Sequence, residues 1–524
     1  MNSLDYFLPP ELDSALQQSL DDWQQQNCMA RLWQRDSSLW TGADEAEWLG
    51  WLDIVQQSLD GLKEVQAVVR SMLDDGIRQV VLLGMGGSSM APEVLRDTFG
   101  CQPNAAELFV LDSTDPDQIT TIDNALTLEQ TVFVVASKSG STLEPNILMA
   151  HFYHRMVEAV SAERAAGHFI AITDPGSSLE QQAAEYGFRH IFAGVPSIGG
   201  RFSALSHFGV VPAAMIGMDC RRFLESAQSM VSACKTTAGA TENPGVLLGS
   251  IIAVAARHGH DKLTLVLSPG IASLGAWLEQ LIAESTGKQG TGVLPLDGEP
   301  VGAPDVYGDD RVFVYVRLES ALDAGQEKAV AQLEQAGQAV VRITIADEYT
   351  LGAELFRWEF ATAVMGVVLQ VNPFDQPDVE ASKVETRKLM GAFETGDKLP
   401  GEVPLASDGQ LVLFADARTA AELGDLCGEN ATVAGFLKAH LGRIKAGDYV
   451  AFLAYLERNE IHTQLIQAMR ETLRDTRKVA TCLGFGPRFL HSTGQYYKGG
   501  TNNGVFLQLS GETVHDLPVP FERY

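Results

Sequence analysis

Two stretches of this 524-residue chain concentrate groups able to hold an anion. Ser137-Lys138-Ser139-Gly140-Ser141-Thr142 places four hydroxyls within six residues, directly after the apolar run Val132–Ala136 and before a helical pattern. Gly84-Met85-Gly86-Gly87-Ser88-Ser89 follows Val80–Leu83 in the same way. Glycines let the backbone approach an anion closely, and N–H groups at a helix start point at it. Hydrogen bonds to a charged group contribute about 1.5–3 kcal/mol each, so several can hold a phosphate without a metal. The glycine loop is neither a dinucleotide fingerprint, because Ser89 stands where the third glycine belongs, nor a P-loop, because no Gly-Lys-Ser/Thr follows. A tight structural turn is the other reading of the first loop. A Ser/Thr-rich N-cap box is that of the second, although one cap needs only one hydroxyl.

The elements that must position these loops are buried strands alternating with helices. After Val80–Leu83 and Val132–Ala136, further apolar runs fall at Leu108–Leu111 and His168–Ile172, each closing on a polar loop. A second block has strands at Lys262–Leu267, Val312–Val316 and Val340–Ile345. This pattern predicts an α/β fold of two three-layer αβα lobes with parallel sheets, their ligands lying beyond the carboxyl ends of the strands. The expected divisions are a helical N-terminal segment over 1–75, a first lobe over 76–235, a second over 236–400, and an extra α/β region over 401–524. That last region has candidate strands at Leu411–Phe414, Tyr449–Tyr455, Val479–Leu483 and Val505–Leu509. Leu351–Val371 is a long apolar stretch, but Glu354, Arg357 and Glu359 inside it favour a buried core helix over a membrane span.

Composition narrows the function classes. Hydrophobic residues make up 45% of the chain and charged residues 20%, as in folded globular proteins. The formal net charge of −29 argues against nucleic acid or an anionic membrane as partner. The N-terminus has neither a basic nor an apolar leader region, so a cytoplasmic location is expected. Six scattered cysteines without a C-x-x-C pair read as reduced, mostly buried thiols, and no metal-ligand spacing is present.

With three further segments the two loops resemble the phosphoglucose isomerases, which are built on the sugar-isomerase (SIS) fold. Ser197-Ile198-Gly199-Gly200-Arg201-Phe202-Ser203 is similar to the family's Gly-Gly-Arg-Phe-Ser signature. Ala283-Glu284-Ser285-Thr286-Gly287-Lys288 resembles its Glu-Ser-x-Gly-Lys segment, and Asn372 to Lys383 its Phe-Asp-Gln-x-x-Val-Glu-x-x-Lys segment. The resemblance implies a sugar-phosphate aldose–ketose isomerase that needs no cofactor and no metal. The phosphate would be held by Gly86, Gly87, Ser88, Ser137, Lys138, Ser139, Ser141 and Thr142, with Gln376 beside the sugar or phosphate.

Moving a carbonyl between C1 and C2 needs a base that takes a proton from one carbon and returns it to the other. The resemblance gives that role to Glu284, stabilisation of the enediolate to Arg201, and ring opening to Lys383 with a histidine. In bacterial members that histidine lies in a His-Ser-x-Gly-Gln segment between the base and the lysine. Here no histidine occurs between His260 and His440, and the similar segment His491-Ser492-Thr493-Gly494-Gln495 comes after Lys383. We assign ring opening to His491. Its position and the C-terminal region most resemble the isomerase half of bifunctional transaldolase/glucose-6-phosphate isomerase proteins. The partner expected is a small-molecule sugar phosphate. A homodimer is implied by members whose histidine crosses an interface, and the changed order leaves open which subunit supplies His491. Two alternatives stand beside this reading: an isomerase that also accepts mannose 6-phosphate, and a non-catalytic sugar-phosphate sensor.

Overall fold

Strands that read as unbroken apolar runs must be covered on both faces, which is the condition of a parallel sheet between helical layers. The computed structural model describes residues 2–235, 239–396, 401–512 and 515–520, apart from the side chains of Glu380, Lys383 and Glu394. The N-terminal segment opens with β1 (Ser3–Phe7) and continues through α1 (Pro10–Gln25) and α2 (Ile54–Asp74). The strand interrupts the helical reading of this segment because Leu4 and Tyr6 alternate toward the second lobe, where β1 adds an antiparallel edge.

The first lobe contains β2 (Gln79–Gly84), α3 (Met90–Phe99), β3 (Glu107–Leu111), α4 (Pro116–Ala125), β4 (Thr131–Ala136), α5 (Leu143–Val160), β5 (Phe169–Thr173) and β6 (His190–Ala193). Its sheet is parallel, in the order β3-β2-β4-β5-β6. Gly84 pairs with Ala136, so β2 and β4 end level and their loops emerge side by side. Helices α6 (Cys220–Cys234) and α7 (Pro244–Arg257) lead to the second lobe of β7 (Lys262–Leu267), α8 (Leu274–Thr286), β8 (Leu294–Leu296), β9 (Arg311–Leu318), β10 (Ala339–Ile345) and α9 (Leu351–Leu369). Here the order is β1-β10-β9-β7-β8.

The apolar stretch from Leu351 forms α9, packed on α6 and α7, with Glu354, Arg357 and Glu359 fully buried. Among the described residues no helix is long and apolar enough to cross a membrane. After α10 (Pro377–Glu394), the expected strand at Leu411–Phe414 shrinks to Val412–Leu413, paired with Ala406–Ser407 in a small hairpin. It packs against no sheet, and Leu411, Val412 and Phe414 stay half exposed. Two helices (Ala417–Cys427 and Val433–Gly442) then lead to β11 (Tyr449–Tyr455), α11 (Glu460–Arg477), β12 (Ala480–Phe485), α12 (Gly494–Gly499) and β13 (Gly504–Ser510). Its three strands are parallel, with β11 in the middle.

Candidate active site

The glycine loop is shaped by what approaches it. A Cβ at Gly87 would lie 2.0 Å from the carbonyl oxygen of Gly200, and one at Gly86 would lie 2.7 Å from Nε2 of Gln280. Gly86 also has φ +55°, a region that favours glycine. The loop after β2 is thus clamped between the Arg201 segment and helix α8. Ser88 is buried beside it, and Ser89 donates to Oδ2 of Asp112 at 3.0 Å.

The second loop does not behave as an N-cap box. Thr142 occupies the N-cap of α5, yet its side chain makes no capping bond. The hydroxyls of Ser139 and Ser141 share a hydrogen bond of 2.7 Å, and the Ser137 hydroxyl is buried with no hydrogen-bond partner among the described residues. Helix α5 therefore presents an uncapped N-terminus, ringed by hydroxyls, where a phosphate could dock. Lys138 does not join them. Its ammonium donates to Oδ1 of Asp174 at 2.8 Å and to the Val195 carbonyl at 3.0 Å, fastening this loop to those after β5 and β6. Burial lowers its pKa, and Asp174 opposes that shift.

Arg201 is held from several sides. The N-terminal segment fixes its loop, with Gly50 N donating to the Ser197 carbonyl at 3.0 Å and Trp51 packed 5.5 Å from Phe202. The guanidinium is 2% exposed and donates to Ser285 Oγ, Gln376 Oε1 and the carbonyls of Pro373 and Asp375 at 2.7–2.9 Å. It also lies 3.5 Å from Oε1 of Glu284. Burial lowers its pKa, while Glu284 and Asp375 pull the other way. Lys288 stands one turn beyond Glu284, buried, its ammonium on the carbonyls of Asn372 and Asp375 and on the Asp375 carboxylate at 2.6 Å. Burial and the charge of Arg201 bring its pKa down to about 8. The Asn372–Gln376 turn is thereby pinned against the end of α8.

His491 arrives from the C-terminal region in a short 3₁₀ turn after β12. Its Nε2 is 2.9 Å from Oε1 of Glu144, in the first turn of α5. Gln280, one turn before Glu284 on α8, uses a single amide to bridge the two groups. Its Nε2 donates to Oε2 of Glu284 at 3.1 Å and to the His491 carbonyl at 2.9 Å. Gln495 is fully buried and accepts from the amides of Asp378 and Val379 at the start of α10, while donating to Gly287 O. Glu284, Arg201, Gln376, His491 and both anion loops are therefore brought together by one chain. Lys383 lies on α10, but its side chain is outside the described residues.

Sequence reasoning missed Glu144, Gln280 and the pinning role of Lys288. Spacing offered a signal for two of them: Gln280 is four positions before Glu284 on the same helix face, and Lys288 closes the Glu-Ser-x-Gly-Lys segment. Among the described residues no group of three or more His, Cys, Asp or Glu side chains could hold a metal ion.

Residues 53–294 match the family model described as phosphoglucose isomerase, a span that includes both loops, Arg201 and Glu284 but not Gln376, Lys383 or His491. A glucose-6-phosphate isomerase of Campylobacter jejuni is 26% identical over 392 residues, covering 66% of this chain and 92% of that protein. One from Thermus thermophilus is 28% identical over 382 residues, covering 65% and 90%. Among solved structures, a hypothetical protein from Thermus thermophilus superposes with a TM-score of 0.65 at 24% identity, covering 74% of this chain and 99% of that one. A glucose-6-phosphate isomerase from Chlamydia trachomatis does so with a TM-score of 0.53 at 21% identity, covering 65% and 73%. These two likenesses speak to the fold.

Proposed function

We propose that this chain, similar to the phosphoglucose isomerases over residues 53–294 and to glucose-6-phosphate isomerases over most of their length, is a member of that family whose own residues interconvert glucose 6-phosphate and fructose 6-phosphate. The phosphate rests on Ser88, Ser137, Ser139, Ser141 and Thr142 and on the N-terminal amides of α5, with Gly86 and Gly87 allowing the close approach. Lys138 serves this site by holding the serine loop to Asp174 and Val195.

The cyclic sugar must open first. His491, oriented by Glu144, gives a proton to the ring oxygen as the C1–O5 bond breaks and the C1 hydroxyl passes its own proton to water. Lys383 joins it on the hydroxyl side. Glu284 then takes the C2 proton of the open aldose, leaving an enediolate across C1 and C2; the C2 hydroxyl proton passes to the C1 oxygen, and Glu284 returns its proton to C1 to give the ketose. Negative charge that develops on the oxygens faces the Arg201 guanidinium, a donor already in place before the reaction. Gln280 fixes the Glu284 carboxylate against the histidine loop, so base and acid keep one geometry. No step calls for a metal or an organic cofactor.

The observation that carries this reading is the chain of contacts Arg201–Glu284–Gln280–His491, which joins a base, a cation and an acid beside an anion cradle. A sensor would need the cradle alone. We further read the C-terminal region, with its late histidine, as the arrangement of the isomerase half of a bifunctional transaldolase/glucose-6-phosphate isomerase. A coupled assay with glucose 6-phosphate and fructose 6-phosphate, with 6-phosphogluconate as competitor, tests the activity. Sugar-phosphate binding without turnover would overturn it in favour of the sensor.

A further inference from the structure

The charged hub between the C-terminal region and the first lobe has no part in the chemistry above. Glu93, in the first turn of α3 and 4% exposed, receives two arginines from the C-terminal region. Arg458, just after β11, donates to it through both terminal nitrogens, the closer contact at 2.5 Å. Arg488, three residues before His491 in the same 3₁₀ turn, donates to its Oε2. Arg96 adds a third contact at 3.3 Å. Burial alone would raise the Glu93 carboxyl, but these three arginines hold it well below the usual carboxylate range.

The hub also reaches the anion cradle. Nε of Arg488 lies 3.2 Å from Oδ2 of Asp112, in ion-pair contact, and the same oxygen accepts from Ser89 of the glycine loop. Two flanking bonds, Thr121 to Glu457 at 2.9 Å and Arg458 N to Gln118 at 3.3 Å, set the C-terminal region on α4. Such rim contacts would suffice for docking. A carboxylate buried under two arginines fixes one geometry, because each arginine left unpaired would be a buried uncompensated charge.

We infer that Glu93, acting through Arg488, is the positioning residue that seats the His491 turn against the glycine loop, so that ring opening depends on it directly and proton transfer by Glu284 only through the Gln280 bridge. This rests on the isomerase reading and adds a residue to it that touches neither substrate nor the reacting atoms.

The test separates ring opening from isomerisation. In a Glu284→Gln background the C2 proton transfer is blocked, and exchange between the α and β anomers of glucose 6-phosphate reads ring opening alone. Adding Glu93→Gln is expected to slow anomer exchange at least about tenfold. In the otherwise unaltered chain it should lower kcat in parallel, with affinity for 6-phosphogluconate changed by less than about threefold. Arg488→Gln should do the same, and Arg488→Lys should recover part of the loss. If Glu93→Gln does not fold, the Arg488 pair gives the same reading. Anomer exchange that survives while kcat falls would overturn the inference, as would unchanged kcat, or inhibitor binding lost in step with activity. An unaltered chain without turnover sinks the isomerase reading and this inference with it. Normal turnover that is indifferent to Glu93 sinks this inference alone.

Discussion

Glu144 and His491 are 347 positions apart in the chain, and their side chains meet at 2.9 Å at the mouth of the anion cradle. The carboxylate belongs to the helix whose N-terminus would face the phosphate, and the histidine to a turn at the end of the C-terminal sheet. In the proposed mechanism, substrate binding and ring opening share one helix. A carboxylate beside an imidazole fixes the orientation of the ring. Glu144→Gln keeps a hydrogen-bonding group but removes that charge. We expect kcat with glucose 6-phosphate to fall about 10–100-fold, within the range typical of acid–base groups, with KM little changed. Steady-state kinetics over pH 5–9 would check it, and a full-speed variant would remove Glu144 from the ring-opening step.

Glu284→Gln should separate binding from chemistry. The amide keeps the shape of the carboxylate, with its oxygen toward one of the two donors, Arg201 or Gln280, yet it cannot accept the C2 proton. Turnover should drop by about 10²–10⁴ or more. Calorimetric titration with 6-phosphogluconate should give an affinity within a few-fold of the unaltered chain. Near-normal turnover would mean that another group is the base.

Gly87→Ala tests whether the glycine loop is shaped by packing as well as by its ligand. The added methyl would sit 2.0 Å from the Gly200 carbonyl and 2.8 Å from the Arg201 amide, with backbone on both sides and no flexible tip to yield. Forced overpacking of this kind costs about 1–3 kcal/mol. The same displacement moves Arg201 away from Glu284, so stability and kcat should fall together. Denaturant unfolding alongside an activity assay would show whether they do.

Much of this arrangement was legible in the sequence because it is written locally. Val80–Leu83 and Val132–Ala136 are apolar on both faces, and the glycines and serines that follow them need no distant partner to be recognised. The segments around Arg201 and Glu284 are equally local. Glu144 and Gln280 were not legible as site residues. Each looks like an ordinary polar position on its own helix, and only the folding of a remote C-terminal turn onto α5 and α8 gives them a role. Lys138 is the converse case. Its place among serines suggests a phosphate contact, but Asp174 and the Val195 carbonyl take the ammonium. The run Leu411–Phe414 has the composition of a strand and half-exposed surroundings, because composition does not say whether a sheet lies next to it.

Glu359 offers a prediction about stability rather than catalysis. It lies in the middle of α9, fully buried, and among the described residues neither carboxylate oxygen has a hydrogen-bond partner. Burial raises its pKa well above the usual value, and no neighbouring charge offsets the shift. The sign follows from proton counting. Below the unfolded pKa, near 4.3, both states hold the proton and the group is neutral to stability. As pH rises past that value the unfolded chain releases the proton while the folded chain keeps it, so stability falls by up to about 1.4 kcal/mol per pH unit until the folded pKa is reached. Glu359→Gln removes the titration, and Glu359→Met also removes the unpaired polar atoms. Both should be more stable than the unaltered chain at pH 7, Met the more so, and the advantage should shrink toward pH 4. Unfolding midpoints across that range would decide it. A Met variant no more stable than the parent at pH 7 would show that α9 supplies Glu359 with a partner in solution.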